Sequence, residues 1–217
     1  FLGGIKKLLF LGSSCIYPKN ANQPMKEDEL LSGKLEPTNE PYAISKIAGI
    51  KMCESYNRQY AQSHNIDYRS IMPTNLYGPF DNFSETSSHV IPGLIARLVK
   101  TKKLGETTFK VWGTGKPKRE FLHVDDLSHA IDFLLKNNFD ESIINVGGLQ
   151  EISIYDLVYK LKKTVGFDGE ILFDINMPDG NPRKLLDSSK INNLGWKPKT
   201  NFQEGILETI NWYLKKN

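Results

Sequence analysis

Leu8-Leu9-Phe10-Leu11-Gly12-Ser13-Ser14 is an apolar run that stops at a glycine and two serines. Apolar residues in succession, without alternation, suit a strand buried on both faces, as in a parallel sheet. The polar closure turns the strand's carboxyl end into a loop of hydrogen-bonding groups, the position in which α/β proteins place chemistry. The pattern recurs. Tyr68-Arg69-Ser70-Ile71-Met72 has strand character and runs into the loop Pro73-Thr74-Asn75-Leu76-Tyr77-Gly78-Pro79, and Ile143 to Val146 reads as a further strand.

Between the first two strands, Pro18 to Glu40 reads as a polar loop with one helical turn near Glu27 to Leu31. Thr38-Asn39-Glu40-Pro41 then supplies a cap and a first-turn proline. The spacing of Ile44, Ile47, Ala48, Met52 and Tyr56 predicts a long helix from Tyr42 to Gln62. Downstream we read a helix over Val90 to Val99, a strand over Phe109 to Trp112, a loop from Gly113 to Glu120 and a helix over Asp125 to Leu135. A serine-capped helix follows from Ser153 to Val165, then a strand over Glu170 to Phe173 and helices over Asp187 to Asn193 and Gln203 to Lys215. This alternation implies an α/β protein, a parallel sheet with a second, smaller α/β lobe.

Composition agrees. The 217 residues, 39% hydrophobic and 24% charged, suffice for one sizeable core or two small ones. Basic residues number 28 and acidic ones 25, spread along the chain without the basic block of a nucleic-acid binder. Cys15 and Cys53 stand in different contexts without metal-ligand spacing, which argues against a disulfide scaffold or a metal site and for a reducing cytoplasm. The apolar runs are too short to span a bilayer, and the first residues lack the regions of a signal peptide, so a membrane location is not expected. Neither Gly-x-Gly-x-x-Gly nor Gly-x-x-x-x-Gly-Lys is present.

Tyr42 and Lys46 leave one helix face a turn apart. A tyrosine hydroxyl is a poor proton carrier at neutral pH unless its anion is stabilised. An ammonium about 4 Å away supplies at most roughly 4 kcal/mol, enough to make a general acid or base of a partly buried pair. Cys15 projects from the loop that carries Ser13, and His89 opens the helix after Ser87-Ser88. A thiol and an imidazole, with reference pKa values of about 8.5 and 6.5, can remove a proton from one face of a carbon and deliver one to the other. Cys15 is equally readable as a small buried apolar residue, and His89 as a helix-start residue bonded to backbone. His64, His129 and Cys53 are read as structural.

The ordered set Ser13, Pro41-Tyr42, Ser45-Lys46 and Pro73-Thr74-Asn75-Leu76 resembles the active-site signature of the extended short-chain dehydrogenase/reductases. Within it, five segments are similar in order to the motifs of the GDP-L-fucose synthase family. They are Ser13 to Pro18, Glu36 to Ala43, Met72 to Pro79, Ser88 to Pro92 and Arg119 to Asp126. The resemblance runs over nearly the whole chain. It implies the C-terminal part of a Rossmann-like parallel sheet, with residues 1–78 and 121–147 a partial NADP-binding domain and 79–120 and 148–217 the substrate-binding lobe. The activity implied is epimerisation of GDP-4-keto-6-deoxy-D-mannose at C3 and C5, then reduction of the C4 ketone by NADPH to GDP-L-fucose. By resemblance Cys15 is the epimerisation base, His89 its acid, and Ser13, Tyr42 and Lys46 the reductase triad. Leu11, Gly12, Lys46, Pro73, Thr74, Asn75, Leu76 and His89 lie beside the dinucleotide, and Arg97, Trp112, Arg119, Asp179 and Lys184 around the nucleotide sugar. His123 belongs to a family motif but is assigned no chemistry. A homodimer built on the helices after Tyr42 and Val90 is also implied.

Two rivals remain: a C4-epimerase or 4,6-dehydratase of the same extended family, or a non-catalytic nucleotide-binding domain. The family's opening strand, glycine-rich turn and helix, roughly 30 residues, has no counterpart here. The 217-residue piece alone is therefore expected to bind NADPH poorly and turn over slowly, and tight binding in a fluorescence titration would overturn this.

Overall fold

The computed structural model describes residues 3–216; the outermost residues of the division above, 1, 2 and 217, lie outside them. Strand β1 (Lys7–Leu11) pairs in parallel with β2 (Asp67–Pro73), which pairs in parallel with β6 (Ile143–Val146). Helix α1 (Glu40–His64) joins β1 to β2 and ends where Asn65 adopts the left-handed conformation. It buries Ala43, Ile47, Ile50 and Cys53. That face is rotated from the stripe read in the sequence: Ile47 is shared, but Ile44 and Met52 are more than half exposed. The helix carries apolar residues on both sides, so periodicity alone did not select the packed one.

The three-stranded sheet is covered on both faces. Ile16, Met25, Ile47, Ile50, Met72 and Leu186 form one core beneath α1. Ile71, Leu122, Leu127, Ile144, Ile191 and Trp196 form the other, beneath α3 (Val124–Lys136) and α5 (Ser189–Asn193). Two buried faces account for the unbroken apolar reading of β6, whose four residues are all buried. Strand β1, expected to be buried on both faces, instead lies at the edge of the sheet among the described residues, with Leu8 and Leu11 each 41% exposed.

A second mixed sheet holds β3 (Asn75–Tyr77), β5 (Lys118–His123), β7 (Glu151–Ser153) and β9 (Arg183–Lys184). A third pairs β4 (Thr108–Trp112) with β8 (Glu170–Asp174) in parallel. The core of this region includes Ile95, Phe109, Phe121, Leu157, Leu161 and Ile206, contributed partly by α2 (Val90–Lys103), α4 (Ile154–Val165) and α6 (Phe202–Lys216). Ser153 caps α4 by accepting from the Asp156 N–H at 3.0 Å.

Both segments read as loops, Pro73 to Pro79 and Gly113 to Glu120, contain strand. Asn75–Tyr77 pairs with Phe121–His123, and Lys118–Glu120 pairs with Ser153–Glu151. Their partners lie more than forty and more than thirty residues away in sequence, so no local signal marks them. Helix α2 continues to Lys103, past the Val99 at which the sequence reading ended it, and its cap position is His89 itself.

Helix α1 approaches β1 closely because Gly49 has no side chain; a Cβ there would stand 2.3 Å from the Phe10 ring. Gly49→Val is therefore expected to lower unfolding free energy by about 1–3 kcal/mol through overpacking, read as a lower urea midpoint. An unchanged midpoint would show that the helix can shift at no cost.

Candidate active site

The parallel register sets Leu11 opposite Ile71, so β1 and β2 release their chains at the same edge. Gly12 N–H donates to the Ile71 carbonyl at 2.8 Å, and a Cβ on Gly12 would lie 2.6 Å from the Met72 sulfur. The glycine thus lets the two strand ends lie flush. Beyond it, Ser14–Ile16 forms a 3-10 turn whose cap is Ser13, with Oγ accepting from the Cys15 N–H at 3.2 Å. The Asn39 side chain donates to the Cys15 carbonyl at 3.1 Å and ties this turn to the start of α1.

A cavity of about 640 Å³ opens here, lined by Ser13, Cys15, Tyr42 and His89 together with Leu11, Gly12, Pro73, Thr74, Asn75 and Leu76. Four chemically competent side chains, from a turn, a helix start and a second helix's cap, thus meet in one space. Lys46 lies outside this lining. Its ammonium donates to the Leu11 carbonyl at 2.9 Å and stands over the Tyr42 ring, 5.9 Å from its centroid. Asn39, Phe80 and Asp81 also line the cavity. Asn39 lay inside a quoted motif but offered no chemistry of its own to the reading.

A second cavity of about 630 Å³ is lined by His89, Arg97, Trp112, Arg119 and Asp179. His89 belongs to both walls. Arg97 stacks its guanidinium 5.5 Å from the Phe109 ring centroid and donates to the Gly93 carbonyl at 3.4 Å. Arg119 donates to the carbonyls of Lys118 and Asn181 at 2.8 and 2.6 Å. Burial lowers both guanidinium pKa values, against the nearby Glu85 for Arg97 and against Cys15 and Asp179 for Arg119. Guanidinium remains a cation nonetheless, and two half-buried cations bonded to neutral carbonyls retain charge for an anion. Trp112 is 68% exposed at the cavity wall, an apolar face open to a ring. Asp179 spends both carboxylate oxygens on Thr114, on its N–H at 2.8 Å and its hydroxyl at 2.7 Å, and these bonds hold it below the usual carboxylate range. Lys184 lines neither cavity; on β9, beside Arg119, it brings its ammonium within 3.9 Å of the Cys15 sulfur.

Two buried residues that the sequence left unremarked organise this region. Glu120 accepts the Leu149 N–H on one carboxylate oxygen and the Leu186 N–H on the other, both at 3.2 Å. Its backbone carbonyl accepts from the Thr74 hydroxyl and the Asn75 amide. Burial pushes its carboxyl above the usual range, opposed by those N–H donors. The second, Asn145, joins the loop after Cys15 to the segment after Lys184. His123, Asp125 and Glu208 bring one ligand atom each within 4.8 Å of one another. His123 Nδ1 accepts the Asp125 N–H at 3.4 Å, which leaves the ring proton on Nε2, facing the Glu208 carboxylate at 3.7 Å. That arrangement suits an N–H beside a carboxylate rather than a metal ligand.

The model of the NAD dependent epimerase/dehydratase family matches residues 2–147. The chain belongs to that family. It is 54% identical over 212 residues to GDP-L-fucose synthase 1 of Arabidopsis thaliana, covering 98% of this chain and 64% of that protein. To GDP-L-fucose synthase of Escherichia coli it is 50% identical, covering 97% of this chain and 67% of that one. The crystal structure of a GDP-L-fucose synthetase from Naegleria fowleri bound to NADP superposes with a TM-score of 0.93 at 30% identity, covering 98% of this chain and 67% of that one. The chain thus spans about two-thirds of the length of these relatives. Among the described residues no helix is long and apolar enough to cross a membrane.

Because Glu120 titrates higher folded than unfolded, its contribution to stability is greatest below its unfolded pKa, about 4.3, and is lost as pH rises through the folded value. Compared with Glu120→Gln, in which all other groups titrate alike, the parent should lose relative stability between pH 4 and pH 8 in urea unfolding. A difference flat across that range would contradict the assignment.

Proposed function

We propose that the complete gene product converts GDP-4-keto-6-deoxy-D-mannose to GDP-L-fucose with NADPH, by epimerisation at C3 and C5 followed by reduction at C4. The single observation that carries this reading is one cavity lined by Ser13 and Tyr42 together with Cys15 and His89. A plain C4-epimerase returns a hydride and needs no thiol and imidazole pair; a binding module needs none of the four.

The 4-ketone acidifies the hydrogens on C3 and C5. Cys15, as thiolate, removes one of these protons, and His89, as imidazolium, delivers a proton to the opposite face of the same carbon. Cys15 ends as the thiol and His89 as neutral imidazole, and exchange with solvent resets both. Ser13 and Tyr42 hydrogen-bond the ketone oxygen, which stabilises the negative charge that gathers there in every step. In the reduction Tyr42 gives its hydroxyl proton to that oxygen, with the Lys46 ammonium beside the phenol.

The residues assigned to the dinucleotide suit it: Leu11, Gly12 and Pro73 to Leu76 form a continuous wall at the carboxyl edge of the parallel strands, where such ligands bind. Lys46 at the Leu11 carbonyl and His89 across the cavity complete that set. When bound, NADPH supplies the hydride. Arg97 and Arg119 offer charge to the pyrophosphate, and Trp112 a face to a sugar or base. Asp179, through Thr114, closes the far wall, and Lys184 reaches toward the sugar from the Cys15 side. Residues 1–78 and 121–147 then serve the cofactor and 79–120 and 148–217 the substrate, with Leu186, Ile191 and Trp196 crossing back onto the parallel sheet. Two free cysteines support a cytoplasmic setting, and the exposed Ile44 and Met52 on α1 support a homodimer through that helix.

With NADPH and the 4-keto sugar, absorbance of the reduced cofactor should fall stoichiometrically; no net oxidation would indicate an epimerase or a binding module instead. In D₂O, Cys15→Ser should cut deuterium incorporation into the sugar by at least about 100-fold while sparing reduction of an already epimerised ketone. Retained incorporation would remove Cys15 from the role of base.

A further inference from the structure

Cys15 Sγ and Lys184 Nζ are 169 residues apart in sequence and 3.9 Å apart in space. Neither side chain can bring the other there: Cys15 sits in a three-residue turn and Lys184 in a two-residue strand. Both segments are fastened from below by one residue. Asn145, on β6, is fully buried and lines neither cavity. Its Oδ1 accepts the hydroxyl of Tyr17, two residues beyond Cys15, at 2.7 Å. Its Nδ2 donates to the carbonyls of Met25 at 2.9 Å and Asp187 at 3.1 Å, and its backbone N–H donates to Glu27 at 2.9 Å.

The Cys15 loop and the Lys184 segment are also zipped together directly. Met25 N–H donates to the Leu185 carbonyl and Asp187 N–H to the Met25 carbonyl, each at 2.8 Å, while Leu185 N–H donates to the Gln23 side chain at 2.9 Å. The amide's orientation is set by its partners. Burial and the nearby Glu27 push the Tyr17 hydroxyl above the ordinary tyrosine range, so it stays a donor. The two carbonyls can only accept, so Nδ2 must face them. An amide satisfies a donor on one side and two acceptors on the other; a carboxylate would present oxygen to two carbonyls, and an apolar residue would remove the bonds to the Tyr17 hydroxyl and the Asp187 carbonyl, leaving the Met25 carbonyl only the Asp187 N–H.

We propose that Asn145 is a positioning residue for Cys15: by holding the Tyr17 side of one segment and the Asp187 side of the other, it keeps the Lys184 ammonium against the sulfur. In that arrangement the ammonium stabilises the thiolate that serves as base. The catalytic part of this inference rests on the function proposed above; the geometric part does not.

The test uses the complete gene product and the variants Asn145→Asp, Tyr17→Phe and Lys184→Met. Iodoacetamide alkylation of Cys15 at neutral pH, followed by peptide mass mapping to separate it from the buried Cys53, reads the sulfur without any substrate. Tyr17→Phe, which loses one hydrogen bond and keeps the ring, should slow alkylation about fivefold, Asn145→Asp should slow it more, and Lys184→Met should slow it in the same sense. Deuterium incorporation into the sugar should fall with the alkylation rate in the first two variants, while reduction of the epimerised ketone stays within about twofold of the parent. If Asn145→Asp does not fold, Tyr17→Phe decides alone.

Alkylation that is unchanged or faster in Tyr17→Phe would overturn the proposal, as would a parallel fall of exchange and reduction, the mark of a general structural role. If the parent exchanges no deuterium, the functional reading fails, and the alkylation series still judges the positioning.

Discussion

Parallel pairing of β1 with β2 is the constraint on which the site depends. Two strands running the same way deliver their carboxyl ends to the same edge, so the turn carrying Ser13 and Cys15 and the segment beginning at Pro73 emerge as neighbours. An antiparallel pair would have sent them to opposite ends. Covering both faces of the sheet with helices makes this pairing stable, and the same covering places the start of α1, with Tyr42 and Lys46, over that edge.

The two cavities meet at His89, which forms part of both walls. Its position at the head of α2 is held by packing in the second core, away from the parallel sheet. The residue proposed as proton donor is thus carried by one part of the molecule and the one proposed as base by the other. Communication between the parts runs through buried polar groups: Glu120 bonds both the segment after β6 and the one before α5, and Asn145 bonds the segments that carry Cys15 and Lys184. Each buried polar group is costly unless satisfied, so these contacts hold the parts in one relation as well as joining them.

Much of this was legible in the residues. The α/β class followed from unbroken apolar strands alternating with periodic helices, and every long helix and the strands of the parallel sheet lie where local pattern put them. Tyr42 and Lys46 could be paired from helical geometry, and Ser13 with Cys15 from their shared loop. The inward face of α1 was not legible, because Ile44 and Met52 compete with Ala43 and Ile50 at equal periodicity and only the sheet chooses between them. Strands β3, β7 and β9 were invisible because two or three residues cannot show a period.

By itself, then, the sequence determined local conformation, the chemical repertoire and the kinship, because propensity, periodicity and motif order act over a few residues at a time. Tertiary structure alone decided which distant groups share a space: His89 with Cys15, Lys184 with the same sulfur, Asn145 beneath both. The physical reason is that such contacts depend on strand register and on hydrogen bonds between segments separated by up to 169 residues, and no local pattern encodes a partner that far away.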